Sequence, residues 1–186
     1  MKNHILPALR MTLVLIIVFA VAYPALIWGI AQLSPNQGKG EIVTYQGKKY
    51  YSNIGQKFDQ DNYFWSRPSA VDYNAAGSGA SNKGATNPEY LKVVDERIEN
   101  FMKHNPSIAK RDIPVDMITA SGSGLDPHIS VKAAEVQAKR IADLRNIPET
   151  KVLDLIKTET EKPLFRLFGP EKINVLKLNI ALDQLQ

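Results

Sequence analysis

Between Met11 and Gln37 the sequence carries no charged side chain, and from Met11 to Leu33 it is almost wholly apolar, MTLVLIIVFAVAYPALIWGIAQL. About 20 apolar residues suffice to cross a hydrocarbon core of roughly 30 Å, so the run predicts a transmembrane helix over 11–33. A single span in lipid must be helical, because every backbone amide has to find its partner within the segment. Pro24 removes one such donor and predicts a bend, unless packing against neighbouring helices absorbs it. Tyr23, Pro24 and Trp28 are therefore the candidates for packing within the membrane. Trp28 suits the outer interface belt, whereas Tyr23 lies deeper and would prefer a protein neighbour to lipid.

The same N-terminus imitates a secretory signal, with a basic start, an apolar stretch to Phe19 and small residues at Ala20–Ala22. The apolar run then continues for about three further helical turns, which a cleaved signal has no need of. A retained anchor is the expectation. Lys2 and Arg10 precede the run without any acidic residue. Short basic flanks stay in the cytoplasm, so residues 1–10 are expected inside and everything after Leu33 outside.

Charge narrows the partners. The formal net charge is +4, from 23 basic and 19 acidic residues. Setting aside Lys2 and Arg10 leaves 21 basic against 19 acidic, too balanced and interspersed for a nucleic-acid surface. The absence of cysteine removes disulfides, thiol nucleophiles and cysteine-based zinc sites.

Beyond the membrane, SPNQGKG (34–40) reads as a turn-rich linker, and 41–186 as one extracytoplasmic domain. EIVTYQGKKYYS predicts a hairpin about Gln46-Gly47. The stretch from Asp59 to Asn87, rich in Gly, Ser, Ala and Asn yet holding Tyr63, Phe64, Trp65 and Tyr73, predicts a long functional loop. Asn87 and Pro88 open a helix with Leu91, Val94, Ile98 and Phe101 at helical spacing. Ser130 caps a second, with Val131, Ala134, Ala138, Ile141 and Leu144 inward. Pro148 starts a third, with Val152, Leu155 and Ile156 as its apolar face. INVLKLNIAL alternates Leu176, Leu178, Ile180 and Leu182 with other residues and predicts a strand. The fold class is α+β, helices packed on a small sheet.

TASGSGLDPHIS (119–130) concentrates serine, aspartate and histidine in one glycine-rich stretch. A nucleophilic triad needs the three side chains to converge, with the acid ordering the imidazole. Ser121 or Ser123 with His128 would make a membrane-anchored periplasmic hydrolase. The nucleophile elbow, however, needs a glycine before the serine and a helix straight after it. A phosphate loop would need a lysine after Gly124, and there is none. Metal ligation is thin, since His4, His104 and His128 show no paired spacing. The plainer reading has Asp126 and Ser130 satisfying amides in the turn before the second helix. Trp65 then belongs to the core, with Arg67 stacked on it or paired to a carboxylate. The Tyr/Trp-rich loop also suggests, more weakly, a glycan- or peptide-binding module.

Three segments resemble the C subunit of the Kdp potassium-transporting ATPase: YFWSRPSAVDYNAAGSGASNKGATNP, ITASGSGLDPHIS with AAEVQAKRIADLR, and LFGPEKINVLKLNIALD. AYPALIWGI in the single span fits the same family. Where the family more often has NLGPTNP-like residues, this chain has NKGATNP. The resemblance implies a non-catalytic, single-span subunit of an inner-membrane complex. Its partners would be a channel-like potassium-binding subunit, a P-type ATPase subunit and a small hydrophobic chain, with membrane lipid around the span. The complex handles ATP and K+, and no cofactor is expected on this chain itself. The implied roles are assembly of the complex and a catalytic chaperone that raises ATP affinity. Trp65, Arg67, Tyr73, Ser121, Asp126 and His128 are the candidate partner interface.

Overall fold

The computed structural model describes residues 2–185. The chain forms two compact units, residues 1–42 and 43–186.

The first unit is a run of helix, α1 (Lys2–Ile16), a π-helical turn (Ile17–Ala22) and α2 (Tyr23–Ala31), followed by turns. From His4 to Ala31 it is a 28-residue apolar helix with nothing buried. At 1.5 Å per residue that is about 42 Å, long enough to span a bilayer. Pro24 does not interrupt it. The widened turn ahead of the proline, in which the Tyr23 N–H bonds the Val18 carbonyl, makes room for a ring that would clash with a carbonyl in a regular helix.

A hairpin follows, β1 (Ile42–Tyr45) and β2 (Lys48–Tyr51), nearly all of it in the second unit. Its turn residues Gln46 and Gly47 are both left-handed, at φ 49 and 73. No regular element follows until α3 (Pro88–His104), which starts at Asn87, whose side chain accepts the Tyr90 N–H. Two 3-10 turns (Lys110–Asp112 and Val115–Met117) lead to β3 (His128–Ile129) and α4 (Val131–Arg145). Ser130 caps α4 by accepting the Ala133 N–H, and left-handed Asn146 ends it. Then come α5 (Glu149–Glu159), β4 (Thr160–Glu161), β5 (Lys172–Asn174) and α6 (Val175–Gln184).

β5 is the centre of a three-stranded antiparallel sheet, with Ile129 and Thr160 both opposite Ile173. Helices α4, α5 and α6 pack in sequence, and each touches β5. The core lies there, built on Phe64, Phe101, Ile141, Ile156, Ile173, Leu178 and Leu182.

The terminal strand expected from INVLKLNIAL stops at Asn174 and becomes a helix. Asn174 is an N-cap whose side chain accepts the Lys177 N–H at 3.1 Å. The buried positions Val175, Leu176, Leu178, Asn179 and Leu182 fall on one helical face, and counting only apolar residues hid it because Asn179 is one of them. Leu144, expected to face inward, is 56% exposed, and Leu91, at helical spacing with the apolar residues of α3, is 47% exposed.

The irregular 52–66 segment dips into the core at Ser52, Gly55 and Phe64, so its main-chain groups there need partners. Side chains on α4 and at the cap of α6 supply them. The Asn174 amide donates to the Ser52 carbonyl, and Arg140 and Arg145 donate to those of Tyr63 and Asn62. Gln137 accepts the Trp65 N–H at 2.8 Å.

Candidate functional site

The two glycine-rich loops predicted from sequence lie against each other, joined by main-chain contacts. Gly79 N donates to the Ser123 carbonyl at 2.8 Å, and Ser78 Oγ to the same oxygen at 3.1 Å. Ser69 Oγ donates to the Gly124 carbonyl at 2.7 Å and accepts the Val71 and Tyr73 N–H groups. Gly124 sits at φ +67, and a Cβ there would fall 2.7 Å from Val71 Cγ2 and 2.8 Å from the Gly79 carbonyl. Only glycine permits that approach. Gly55 makes a similar contact on the other side, donating to the Leu125 carbonyl at 2.6 Å.

Within this junction the charged groups form a chain. Arg67 Nη1 donates to Asp126 Oδ2 at 2.8 Å. Asp126 Oδ1 accepts the His128 N–H at 3.0 Å and lies 3.3 Å from His128 Nδ1. His128 Nε2 is 3.6 Å from Glu161 Oε2, and Glu161 also faces Lys172 and Lys177. Hydrogen bonds from His128, with the Arg67 charge adding to them, hold the Asp126 carboxyl down at about 2 against the pull of burial. Ser130 N–H and Oγ both bond Asp116, fixing the start of α4 beside the cluster.

The serines take no part in that chain. Ser121 Oγ accepts the Gly124 N–H and Ser123 Oγ the Leu125 N–H, so both close the turn. Both ring nitrogens of His128 face carboxylates instead, leaving no serine–histidine pair of the kind a hydrolase requires. Among the described residues no three His, Asp or Glu side chains gather to hold a metal ion.

Trp65 and Arg67 part company. Arg67 is not stacked on the tryptophan but reaches Asp126. The guanidinium over the indole is that of Arg140, 4.6 Å from its centroid. Trp65 also meets the edges of Phe101 and His104, at 6.2 and 5.0 Å, and donates from Nε1 to the Gln60 carbonyl. Its open side lines a cavity of about 630 Å³ shared with Tyr73, Arg97 and His104. Tyr73, left-handed at φ 58, donates its hydroxyl to the Arg67 carbonyl, and burial raises its pKa to about 12.

Residues that sequence reasoning missed are Ser69, Gln137, Arg140 and Glu161. Gln137 and Arg140 had a readable signal, since both fall on the apolar face of α4 beside Ala134, Ala138 and Ile141. Ser69 and Glu161 had none.

Comparison with known proteins bears on this arrangement as a whole. The family model described as the c chain of the K+-transporting ATPase, KdpC, matches residues 5–184. A Flavobacterium psychrophilum protein, named potassium-transporting ATPase KdpC subunit, is 54% identical over 100% of both chains. Relatives of the same name from Bacteroides thetaiotaomicron and Caldanaerobacter subterraneus are 48% and 44% identical. They cover 95% and 98% of this chain, and 96% and 95% of their own lengths. With a helix fit to cross a membrane and an α+β unit matched end to end, the chain belongs to the KdpC family, the c chain of the K+-transporting ATPase.

Proposed function

We propose that this chain is a non-catalytic accessory subunit of a high-affinity, ATP-driven potassium uptake complex. The observation that carries the reading is the full-length match to relatives named as the KdpC subunit of a potassium-transporting ATPase. Its non-catalytic part is supported by the loop chemistry, where serines close a turn and the histidine faces only carboxylates. On this reading the N-terminus (1–10) is cytoplasmic, 11–33 span the inner membrane, 34–40 form the linker, and 41–186 lie outside. The partners are a channel-like potassium-binding subunit, a P-type ATPase subunit and a small hydrophobic chain. Those chains handle K+ and ATP.

The paired loops, with Trp65, Arg67, Tyr73, Ser121, Asp126 and His128, form the proposed docking surface. Their internal hydrogen bonds give that surface a fixed shape, which lowers the ordering cost of binding. Tyr23, Pro24 and Trp28 pack the span against a partner helix. A domain outside the membrane acts on ATP affinity only through the conformational cycle of its partners. Such coupling between sites is typically worth ~5–150-fold in affinity.

The test is a detergent pull-down of tagged full-length protein from its native membrane, with co-eluting chains identified by mass. A P-type ATPase chain and a polytopic potassium subunit in equal amounts support the reading. Elution of the intact chain alone overturns it. For the chaperone role, the KM for ATP of the complex is measured with and without this chain. An unchanged KM removes that role and leaves assembly.

A further inference from the structure

The turn joining β4 to β5 carries Leu164, Phe165, Leu167 and Phe168 at 65%, 78%, 79% and 67% exposure. Elsewhere in the second unit, exposed large apolar residues stand singly or, at Leu91 and Val93, as a pair. Single ones are ordinary, whereas a contiguous cluster marks an interaction site.

The turn is tied down. Leu164 bridges Phe168, the Arg166 N–H bonds the Pro163 carbonyl at 2.8 Å, and the Leu167 and Phe168 N–H groups share the Leu164 carbonyl. Phe165 and Arg166 are both left-handed, at φ 53 and 60. Two consecutive positions of that kind normally go to Asn and Gly, so larger side chains there are held at a conformational cost. A lipid surface accepts apolar groups in any arrangement and demands no such geometry. A strained, preformed turn presenting aromatic rings suits a pocket of defined shape.

The base of the turn points the same way. Pro170, Glu171 and Lys172 line one hollow of about 420 Å³ with Arg67, Asp126 and His128. The apolar tip therefore continues the polar docking surface. An apolar anchor beside a polar rim is how protein–protein interfaces are built. Arg166 at the tip and Lys162 next to β4 are exposed, and a carboxylate-bearing rim would complement them.

We propose that residues 162–171 form an anchor that seats in an apolar, acid-rimmed pocket on another chain of the transporter. The inference rests on the accessory-subunit reading and adds the element that engages the partner.

Photo-crosslinking tests it, with a benzophenone side chain replacing Phe165 in the full-length protein in native membranes. The expected product is an adduct whose mass adds one transporter chain to this one. An adduct with lipid alone, or no adduct while the transporter chains still co-purify, overturns the anchor and leaves the accessory role standing. Failure of the wild-type chain to retain any transporter chain overturns both.

Phe165→Gly is the second test. It relieves the left-handed strain, so the thermal midpoint should hold or rise. Retention of partner chains through a detergent wash should nevertheless fall ~10-fold or more, as for a buried aromatic hot spot. Undiminished retention overturns the proposal.

Discussion

Asn179 on α6 holds the main chain of Phe64 at both of its polar groups, accepting the N–H at 2.9 Å and donating to the carbonyl at 3.0 Å. The amide does for Phe64 what a neighbouring strand would do, at a point in the core where no strand runs. Asn179→Leu keeps the branched shape, at a somewhat larger volume, but leaves two buried main-chain groups unpaired. We expect a loss of about 2–5 kcal/mol, read as a lower urea midpoint with the slope unchanged. A loss below about 0.5 kcal/mol would mean that these groups find other partners.

Trp65 is a structural residue before it is a contact residue. Trp65→Ala removes the edge contacts to Phe101 and His104 and uncovers the Arg140 guanidinium. It should cost about 3–5 kcal/mol in the unfolding of the chain. Trp65→Phe, which keeps most of the packing, is the fairer probe of docking. If Trp65→Ala unfolds like wild type, the indole is not part of the core.

Acid should weaken the loop junction in a defined window. The Asp126 pKa is lowered from 3.8 to about 2, chiefly by hydrogen bonding from His128. A carboxyl depressed on folding adds stability that is complete above its unfolded pKa and is lost as pH falls through its folded one. The contribution is therefore full above pH ~4 and gone near pH ~2, and is on the order of 1–2 kcal/mol for a side chain that keeps some solvent contact. Asp126→Asn should lower the midpoint at neutral pH, with the gap to wild type closing across that window. A gap that stays constant to the acid end would exclude the mechanism.

Three glycines separate close approach from mere flexibility. A Cβ on Gly55 would lie 2.7 Å from the Asp126 carbonyl oxygen, and one on Gly124 would strike Val71 and the Gly79 carbonyl. A Cβ on Gly122 would meet nothing within 4 Å. Alanine at 55 or 124 should cost about 2 kcal/mol or more, and at 122 within about 0.5 kcal/mol of nothing. Differential scanning fluorimetry of the three variants in detergent decides it, and equal effects would refute the packing argument.

Ser121→Ala removes the hydroxyl that accepts the Gly124 N–H. It should cost about 1 kcal/mol of stability and leave the ATPase rate of the assembled complex as it was. Loss of turnover with both stability and partner retention intact would reopen a chemical role for the loop.

Local signals determined a good part of this protein. The charge-free run, the hairpin about Gln46-Gly47, and the caps at Asn87 and Ser130 are each written in a few neighbouring residues, and the corresponding elements formed. The α6 segment was equally local but ambiguous, because its apolar residues fit a period of two and its buried ones a helical period. The strands of the sheet, two or three residues long, are too short to show alternation.

What only the tertiary structure decided is which groups meet across long separations. Glu161 joins His128, Arg140 rather than Arg67 covers Trp65, and amides on α4 and at the cap of α6 satisfy a segment 72 to 122 residues earlier. A buried main-chain group must be paired, but sequence periodicity reports only which face is apolar and not which distant polar group completes it. The residue types of the site could therefore be read from the chain, while their pairing depended on how the helices brought them together.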